Sequence, residues 1–256
     1  MSAVLAIAKL VIKEIFRKKD FYVALLLIGV ILFYAQSLRF YNAQNVSRYM
    51  AEIGLALIFF FSVVLSAALA GRQFPSEVQN RTITPLLSKP VSRAHFVIGK
   101  FAGSFAAGVS AFALFYAAFL AVLTSKAGTL SWPVAGQTFY LFALNLMVFC
   151  AMVSAFSYLL TVSANVTVSL TVYFLVSLYG AHLKETAESF SMPLRAVCEA
   201  IYYAFPHFEF FDLRQRFIHG WGTVPAPLVG FLTLYAACYT AFFLLAAYVS
   251  FRRRPL

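Results

Sequence analysis

Charged residues are scarce in this chain. Asp, Glu, Lys and Arg make up 11% of its 256 residues, while 62% are hydrophobic. Soluble domains carry roughly 25% charged residues, and the mean hydropathy of +0.83 is high. A soluble fold has too little interior to hide so much apolar surface from water. The sequence therefore predicts an all-α integral membrane protein.

Motifs for chemistry are also lacking. The cysteines at positions 150, 198 and 238 are far apart and form no C-x-x-C pair, so no disulfide framework is indicated. No G-x-x-x-x-G-K-[ST] loop occurs, because Gly99-Lys100 is followed by Phe101 and an apolar segment. We therefore expect no catalytic residue, no cofactor bound by this chain and no ATPase site of its own.

Six apolar segments are long enough to cross a bilayer, for which about 20 residues suffice. They run near Phe21–Ser37, Ile53–Ala70, Phe101–Leu123, Gln137–Leu160, Asn165–Ala181 and Leu228–Phe251. The uncharged stretch containing the fourth and fifth is too long for one helix. We place its break at Thr161–Asn165, where Ser163 and Asn165 can satisfy turn backbone.

The net charge of +11 is carried at the ends of these segments, which favours membrane anchoring over nucleic-acid binding. Thirteen of the 20 basic residues lie in residues 9–19, 72–100 and 252–254, which share one side if the N-terminus is inside. Basic residues favour the cytoplasmic side. The asymmetry predicts that both termini are cytoplasmic, in a bacterial-type inner membrane.

Residues 1–20 form a separate unit before the membrane domain of residues 21–256. Val4, Ala8, Val11 and Ile15 recur at helical spacing, and the lysines and Arg17 fall on another face. No small-residue cleavage site follows, so a secretory signal is not indicated. The pattern predicts an amphipathic helix lying in the membrane interface.

The loop of residues 72–100 is the long polar stretch on the cytoplasmic side. Pro75, Pro85 and Pro90 interrupt it. We expect Ser76 to cap a short cytoplasmic helix that begins at Glu77, and Ser92 to cap the next span. Such a helix, tied to two spans, can transmit force from a soluble partner, although an ordinary solvated loop is the alternative.

The outer connection of residues 182–227 predicts two short helices at the outer surface. Phe190, Leu194, Val197 and Ile201 have helical spacing, and a second helix is expected over Glu209–His219. Side chains with sulfur or imidazole nitrogen, which can bind metals, occur here. They lack the compact spacing of a metal site, so no metal site is predicted. These residues are His182, Met192, Cys198, His207 and His219.

Two groups of residues resemble a known family. They are Glu77, Thr82-Ile83, Leu86-Leu87-Ser88, Pro90-Val91-Ser92-Arg93, Phe96 and Gly99-Lys100 in the loop, and Phe205-Pro206-His207-Phe208 and Phe211-Asp212-Leu213-Arg214 in the outer connection. The first group resembles the loop after the second span of ABC-2 type permeases. The similarity is greatest to the branch for multicopper-enzyme maturation, which includes the nitrous-oxide reductase maturation permease.

The resemblance implies a transmembrane subunit, paired with a second copy and driven by two separate ABC ATPase subunits that bind ATP and Mg²⁺. It implies that the loop docks the ATPase through Glu77, Arg81, Thr82, Leu86, Leu87, Pro90 and Arg93. It also implies that the outer connection closes the pathway, with candidate gate residues Phe190, Ile201, Phe205, Pro206 and Phe208. A connection without a gating role is the alternative for the latter set.

Two other functional classes stay open at the level of sequence. One is an energy-independent membrane scaffold or assembly factor for an extracytoplasmic enzyme. The other is an ion-coupled carrier, which the absence of Asp, Glu, Lys and Arg inside the expected spans disfavours. Mild polar residues within the spans, such as Asn145 and Asn165, are expected to be helix-packing contacts.

Overall fold

The computed structural model describes residues 8–11, 13, 22, 29, 46–79, 92–127, 131–187 and 205–253. These residues form α-helices with short turns and contain no strand. The helices are α1 (Val46–Gln79), α2 (Arg93–Ala127), α3 (Trp132–Ser157), α4 (Val162–Ala187), α5 (Arg214–His219) and α6 (Ala226–Arg253). A 3₁₀ turn at Phe208–Phe211 precedes α5. The all-α prediction is confirmed for this part of the chain.

Four of these helices are long and apolar enough to cross a membrane, namely α1, α2, α3 and α6. In α4 the apolar part is shorter and covers Val162–Ser177. These correspond to the second to sixth expected spans, so the protein is a multi-pass membrane protein. The first expected span, Phe21–Ser37, lies outside the described residues except for two isolated positions. The number six therefore stays a prediction.

A break between the fourth and fifth spans occurs, but it lies at residues 158–161 rather than at Thr161–Asn165, because residues 162–165 already belong to the next helix. Helix α3 ends at Ser157, a turn covers residues 158–160, and α4 begins at Val162. Asn165 then donates from Nδ2 to the carbonyl oxygen of Val153 (3.2 Å) and accepts at Oδ1 from the hydroxyl of Ser169 (3.1 Å). The break therefore produces a tight helical hairpin, and Asn165 is the packing contact that we expected.

The expected helix start at Glu77 is wrong. Helix α1 continues through Pro75 and ends at Gln79, so Glu77 belongs to α1. A proline inside a helix removes one backbone hydrogen bond, which neighbouring helices can offset in a membrane bundle. Phe74 packs against Tyr158 with ring centroids 4.1 Å apart, and Glu77 pairs with α2. These tertiary contacts on both sides of Pro75 account for the continuation.

Helix α1 is central to the bundle and packs against α2, α3, α4 and α5. Its Phe59 stacks on Phe142 of α3 at 3.7 Å between ring centroids and meets Phe112 of α2 edge-on at 5.8 Å. Helix α6 is peripheral, packing on α3 and α2 and leaving large apolar side chains exposed. Phe231, Leu234, Phe242 and Leu245 are 60–64% exposed, as suits a surface in contact with lipid.

The small residues of α1 and α2 face other parts of the same chain. A Cβ at Gly71 would lie 3.1 Å from Val166 Cγ2 and 3.3 Å from Asn165 Nδ2, both of α4. A Cβ at Gly103 would lie 2.6 Å from the Cβ of Val11. Close packing at both glycines is therefore intramolecular.

The described N-terminal residues fit the expected two-faced helix. Residues 8–11 and 13 are helical, Ala8 and Val11 are buried, and Lys9 and Lys13 are exposed. Val11 is the residue that packs on Gly103. The position of this helix in the membrane interface stays a prediction.

Candidate functional site

One end of the bundle contains the end of α1 and the beginning of α2, and we call it the inner end. Four aromatic rings join the helices there: Phe74 of α1, Phe96 of α2, Tyr158 after α3 and Phe251 of α6. Phe251 lies 5.5 Å from Phe74 and from Tyr158 and 5.6 Å from Phe96, between ring centroids. This inner aromatic cluster fixes the helix ends next to the predicted coupling loop.

Glu77 is part of a buried ion pair rather than an exposed helix cap. Lys100 Nζ of α2 donates to Glu77 Oε1 at 2.6 Å and to Gln73 Oε1 at 3.3 Å. The side chains of Lys100 and Glu77 are only 6% and 12% exposed. Lys100 Nζ also lies 5.8 Å from the centroid of the Phe96 ring. The pair thus ties α1 to α2 at the inner end.

Arg93 has an intramolecular role as well. Its Nη1 donates to the carbonyl oxygens of Phe251 and Arg252, both at 3.1 Å, and its guanidinium lies 5.3 Å from the Phe251 ring. These carbonyls belong to the last turn of α6, where a helix has unsatisfied acceptors and favours a cation. Arg93 therefore joins the start of α2 to the end of α6.

Of the seven predicted coupling residues, the structure brings Glu77 and Arg93 to the same end of the bundle. The other five lie outside the described residues: Arg81, Thr82, Leu86, Leu87 and Pro90. Ser92 accepts a hydrogen bond from the backbone N–H of His95 (3.3 Å), so it caps α2 as expected. The contact of this loop with an ATPase stays a prediction.

The opposite end, which we call the outer end, contains the 3₁₀ turn and α5. Asn145 Nδ2 of α3 donates to the carbonyl oxygen of Phe208 at 3.3 Å. The Phe208 ring is 99% buried and packs on Tyr173 of α4 at 4.7 Å. Among the candidate gate residues, Phe208 is therefore an anchor of the outer connection. Pro206 is buried and Phe205 half-buried, while Phe190 and Ile201 lie outside the described residues.

The segment Phe211-Asp212-Leu213-Arg214 holds the outer connection against α1. Arg214 donates from Nη2 to Asp212 Oδ2 (2.6 Å) and from Nε to Oδ1 (3.0 Å), and its guanidinium lies 5.6 Å from the Phe59 ring. Burial acts to lower the pKa of Arg214, but its hydrogen bonds to Asp212 and the charge of Asp212 outweigh burial and raise it. Arg214 thus stays charged.

Asp212 also explains why the expected helix over Glu209–His219 is two short elements. The carboxylate of Asp212 accepts from the backbone N–H of Arg214 (2.9 Å), and its own backbone is extended. An Asp in this position competes with helical hydrogen bonding and starts a new helix instead. Helix α5 then ends at His219, and Gly220 caps it with a φ of 64°, the left-handed conformation that glycine favours.

His207 is buried beneath the outer connection. Its backbone N–H donates to the hydroxyl of Tyr235 on α6 (2.9 Å), and its ring stacks on Phe210 at 5.1 Å. The pKa of His207 is lowered from 6.5 because burial disfavours the charged imidazolium, against the opposing effects of Glu209 and the Phe205 backbone. His207 is therefore a neutral packing residue at pH 7.

A cavity of about 510 Å³ lies between α1, α3 and α4 beneath the outer connection. Its walls are aromatic and its outer rim is polar. The lining includes Phe59, Phe60, Phe142, Asn145, Tyr173, Phe174, Ser177, Phe208, Glu209, Asp212 and Arg214. The volume falls in the usual range for small-molecule sites, about 300–1,000 Å³. Sequence reasoning missed the cavity, because its walls come from four separated segments.

No group of three or more His, Cys, Asp or Glu capable of holding a metal occurs among the described residues. Of the outer candidates considered above, His207 faces Tyr235 and Phe210, and His219 stacks on Trp221 at 5.3 Å. Met192 and Cys198 lie outside the described residues, as does the side chain of His182.

Sequence reasoning also missed Lys100, which lies one residue before the third span as we drew it. Its sequence signal is that it is the last charge before the apolar run, with the next basic residue at Lys126. A charge at the edge of an apolar helix suggests either an anchor in the interface or a buried partner on another helix. Only the tertiary structure identifies Glu77 as that partner.

A family model described as ABC-2 family transporter protein matches residues 5–256. This chain belongs to that family. The match covers nearly the whole chain and agrees with the multi-pass helical bundle. Members are typically the non-catalytic transmembrane component of a transporter and associate with an ABC ATPase. No curated protein matches the chain.

Proposed function

We propose that this chain is the permease subunit of an ATP-binding-cassette transporter in a bacterial cytoplasmic membrane. It moves a substrate across the bilayer with ATP hydrolysed, together with Mg²⁺, by two separate ATPase subunits. Two copies of the chain form the membrane part, and both termini are cytoplasmic. The observation that carries the proposal is the family match over residues 5–256, together with the absence of a nucleotide-binding loop in the sequence.

The coupling step is assigned to the loop between α1 and α2. The inner ends of α1, α2 and α6 are tied together by Glu77–Lys100 and by Arg93 on the last turn of α6. A force applied to the loop would therefore reach several helices through these polar contacts. Glu77 and Arg93 hold the base of the loop, and docking is assigned to Arg81 and to Thr82, Leu86, Leu87 and Pro90.

We further assign the chain to the branch for multicopper-enzyme maturation, on the loop residues and the segment Phe211-Asp212-Leu213-Arg214. In this proposal the outer connection gates the pathway. The Asp212–Arg214 pair and Phe208 fix its described half to α1, α3 and α4. Phe190 and Ile201, which lie outside the described residues, are assigned to the same gate.

The first test is affinity purification of the tagged full chain from native membranes in mild detergent. We expect a co-purifying subunit with a Walker motif and a complex containing two copies of each subunit, identified by mass spectrometry. Purification of the chain alone, or only with an extracytoplasmic enzyme, would contradict the proposal and favour a scaffold.

The second test addresses the loop with a matched pair of charge reversals. Arg81→Glu changes the predicted docking surface, whereas Arg48→Glu makes the same change at an exposed position of the opposite end of α1. Because reversal at an interface pair costs roughly 2–5 kcal/mol, Arg81→Glu should strongly reduce ATPase co-purification and Arg48→Glu should not. Equal ATPase recovery with both variants would remove Arg81 from the docking surface.

A further inference from the structure

The cavity between α1, α3 and α4 has an unusual set of polar groups. Asn145 is 3% exposed, and its Oδ1 has no hydrogen-bond partner among the described residues. Its Nδ2 is already used by the carbonyl oxygen of Phe208. A buried acceptor without a donor is costly. At the wall of a cavity it is available to a donor on a ligand.

The charged residues at the rim of the cavity also bear on which ligand it can bind. Asp212 and Arg214 compensate each other through paired hydrogen bonds of 2.6 and 3.0 Å. Glu209 also lines the cavity, and no hydrogen bond or ion pair holds its carboxylate within the described part of the chain. The rim therefore has one carboxylate in excess. Tyr173, Ser177 and Gln215 add neutral groups that can donate or accept, so the net charge of the lining comes from Glu209.

The aromatic walls of the cavity add a third constraint on the ligand. Phe59, Phe60, Phe142 and Phe174 surround the space below these acceptors, with Tyr173 and Phe208 beside them. Aromatic faces attract cations as well as apolar groups. A ligand with an apolar or aromatic body and a protonated amine satisfies the walls, the carboxylate and the amide oxygen together.

We propose that this cavity binds an amphipathic organic ammonium ion, with its amine toward Glu209 and Asn145 Oδ1 and its apolar part among the phenylalanines. The inference rests on the proposed function to the extent that the bound molecule is a transported substrate. Binding itself requires only the permease, so it can be tested without an ATPase.

The experiment measures equilibrium binding of radiolabelled propranolol, an aryl ammonium ion, to the full chain in lipid nanodiscs. Empty nanodiscs give the lipid background, and 2-naphthoxyacetate supplies a related aryl group on an anion. We expect saturable binding of propranolol, competition by other aryl amines and no competition by naphthoxyacetate. Competition by the anion equal to that by amines would overturn the proposal, because it would make Arg214 the recognising group.

Two variants isolate the carboxylate. Glu209→Gln should weaken propranolol binding about tenfold, the factor expected when a charge-assisted hydrogen bond is lost. Glu52→Gln removes an exposed carboxylate near the start of α1, outside the cavity lining, and should change affinity by less than about twofold. Equal affinity of both variants, or no saturable binding to the wild-type chain, would refute the site. If propranolol binds as expected but no ATPase co-purifies with the chain, the transporter assignment is refuted while the binding site stands.

Discussion

At the scale of single residues, the contact between Lys100 and Glu77 changes the interpretation of the coupling loop. The sequence suggests an exposed carboxylate that is free for an ATPase, whereas both side chains of the pair are almost fully buried. Removing one member of a buried pair leaves the other charge without compensation and costs about 3–5 kcal/mol. Glu77 is therefore expected to affect stability first, and coupling only as a consequence.

Glu77→Ala should lower the free energy of unfolding by about 3 kcal/mol, because buried Lys100 would lose the carboxylate that compensates its charge. The measurement is thermal unfolding in detergent, followed by size-exclusion chromatography. Glu52→Ala is the control, since Glu52 is an exposed carboxylate of the same helix. Equal melting temperatures for the two variants would show that the pair contributes little.

The burial of His207 predicts a dependence on pH. Its pKa is lowered from 6.5 in the folded chain, so the unfolded chain binds the proton more tightly. Its contribution is fully present above pH 6.5 and is lost as the pH falls through the lowered pKa.

We expect the wild-type melting temperature to fall more than that of His207→Gln between about pH 7.5 and 5.5. The glutamine removes the titrating group but keeps a polar side chain opposite Tyr235. Parallel pH profiles for the two proteins would show that His207 does not titrate in this range.

At the scale of helices, side chains fix the pairs of elements that meet. Gln137 of α3 donates from Nε2 to the carbonyl oxygen of Val224 (2.9 Å) and accepts at Oε1 from its backbone N–H (2.8 Å). This reciprocal pair holds the loop before α6, and Val224 is buried. A single glutamine thus satisfies both backbone groups of one loop residue.

Gln137→Leu should destabilise the protein by about 1–3 kcal/mol, because both backbone groups of Val224 would lose their partner. Tyr140→Phe provides the control. It removes one hydrogen bond between α3 and α6, at the exposed Thr233 contact of 3.0 Å, and should have a much smaller effect on unfolding in detergent. A larger effect of Tyr140→Phe would contradict this assignment.

Glycine at the contact between α2 and the N-terminal helix gives a second prediction at this scale. A Cβ at Gly103 would lie 2.6 Å from the Cβ of Val11, whereas one at Gly136 would meet nothing within 4 Å. Gly103→Ala should therefore destabilise the protein by about 1–3 kcal/mol through overpacking. Gly136→Ala should not destabilise the protein. Comparison of the melting temperatures of the two variants tests this prediction.

At the scale of the whole molecule, the two ends of the bundle differ in chemistry. At the inner end Arg93, Lys100, Arg252 and Arg253 outnumber Glu77, whereas at the outer end Arg48, Arg214 and Arg216 are matched by Glu52, Glu209 and Asp212. Basic residues favour the cytoplasmic side. The expected orientation therefore places the predicted coupling loop in the cytoplasm.

Single cysteines at the exposed positions Arg253 and Gly222 test this orientation in a background without the native cysteines. With an impermeant thiol reagent on intact cells, Gly222→Cys should be labelled and Arg253→Cys should react only after lysis. Labelling of Arg253→Cys in intact cells would invert the topology and place the loop on the wrong side for an ATPase.

The sequence by itself determined the membrane class, the four described apolar spans, the shorter apolar part of α4 and the presence of a break before it, because apolar length and a run of uncharged residues are local properties. It did not determine the end of α1, since Pro75 and Ser76 locally favour a new helix and lose to contacts made by Phe74 and Glu77. Other features join residues that are far apart in the chain. These are the pair of Glu77 and Lys100, the contact of Arg214 with the Phe59 ring, and the cavity. Only the packing of the helices decided them, because whether a charged side chain is exposed or buried depends on the helix that lies opposite.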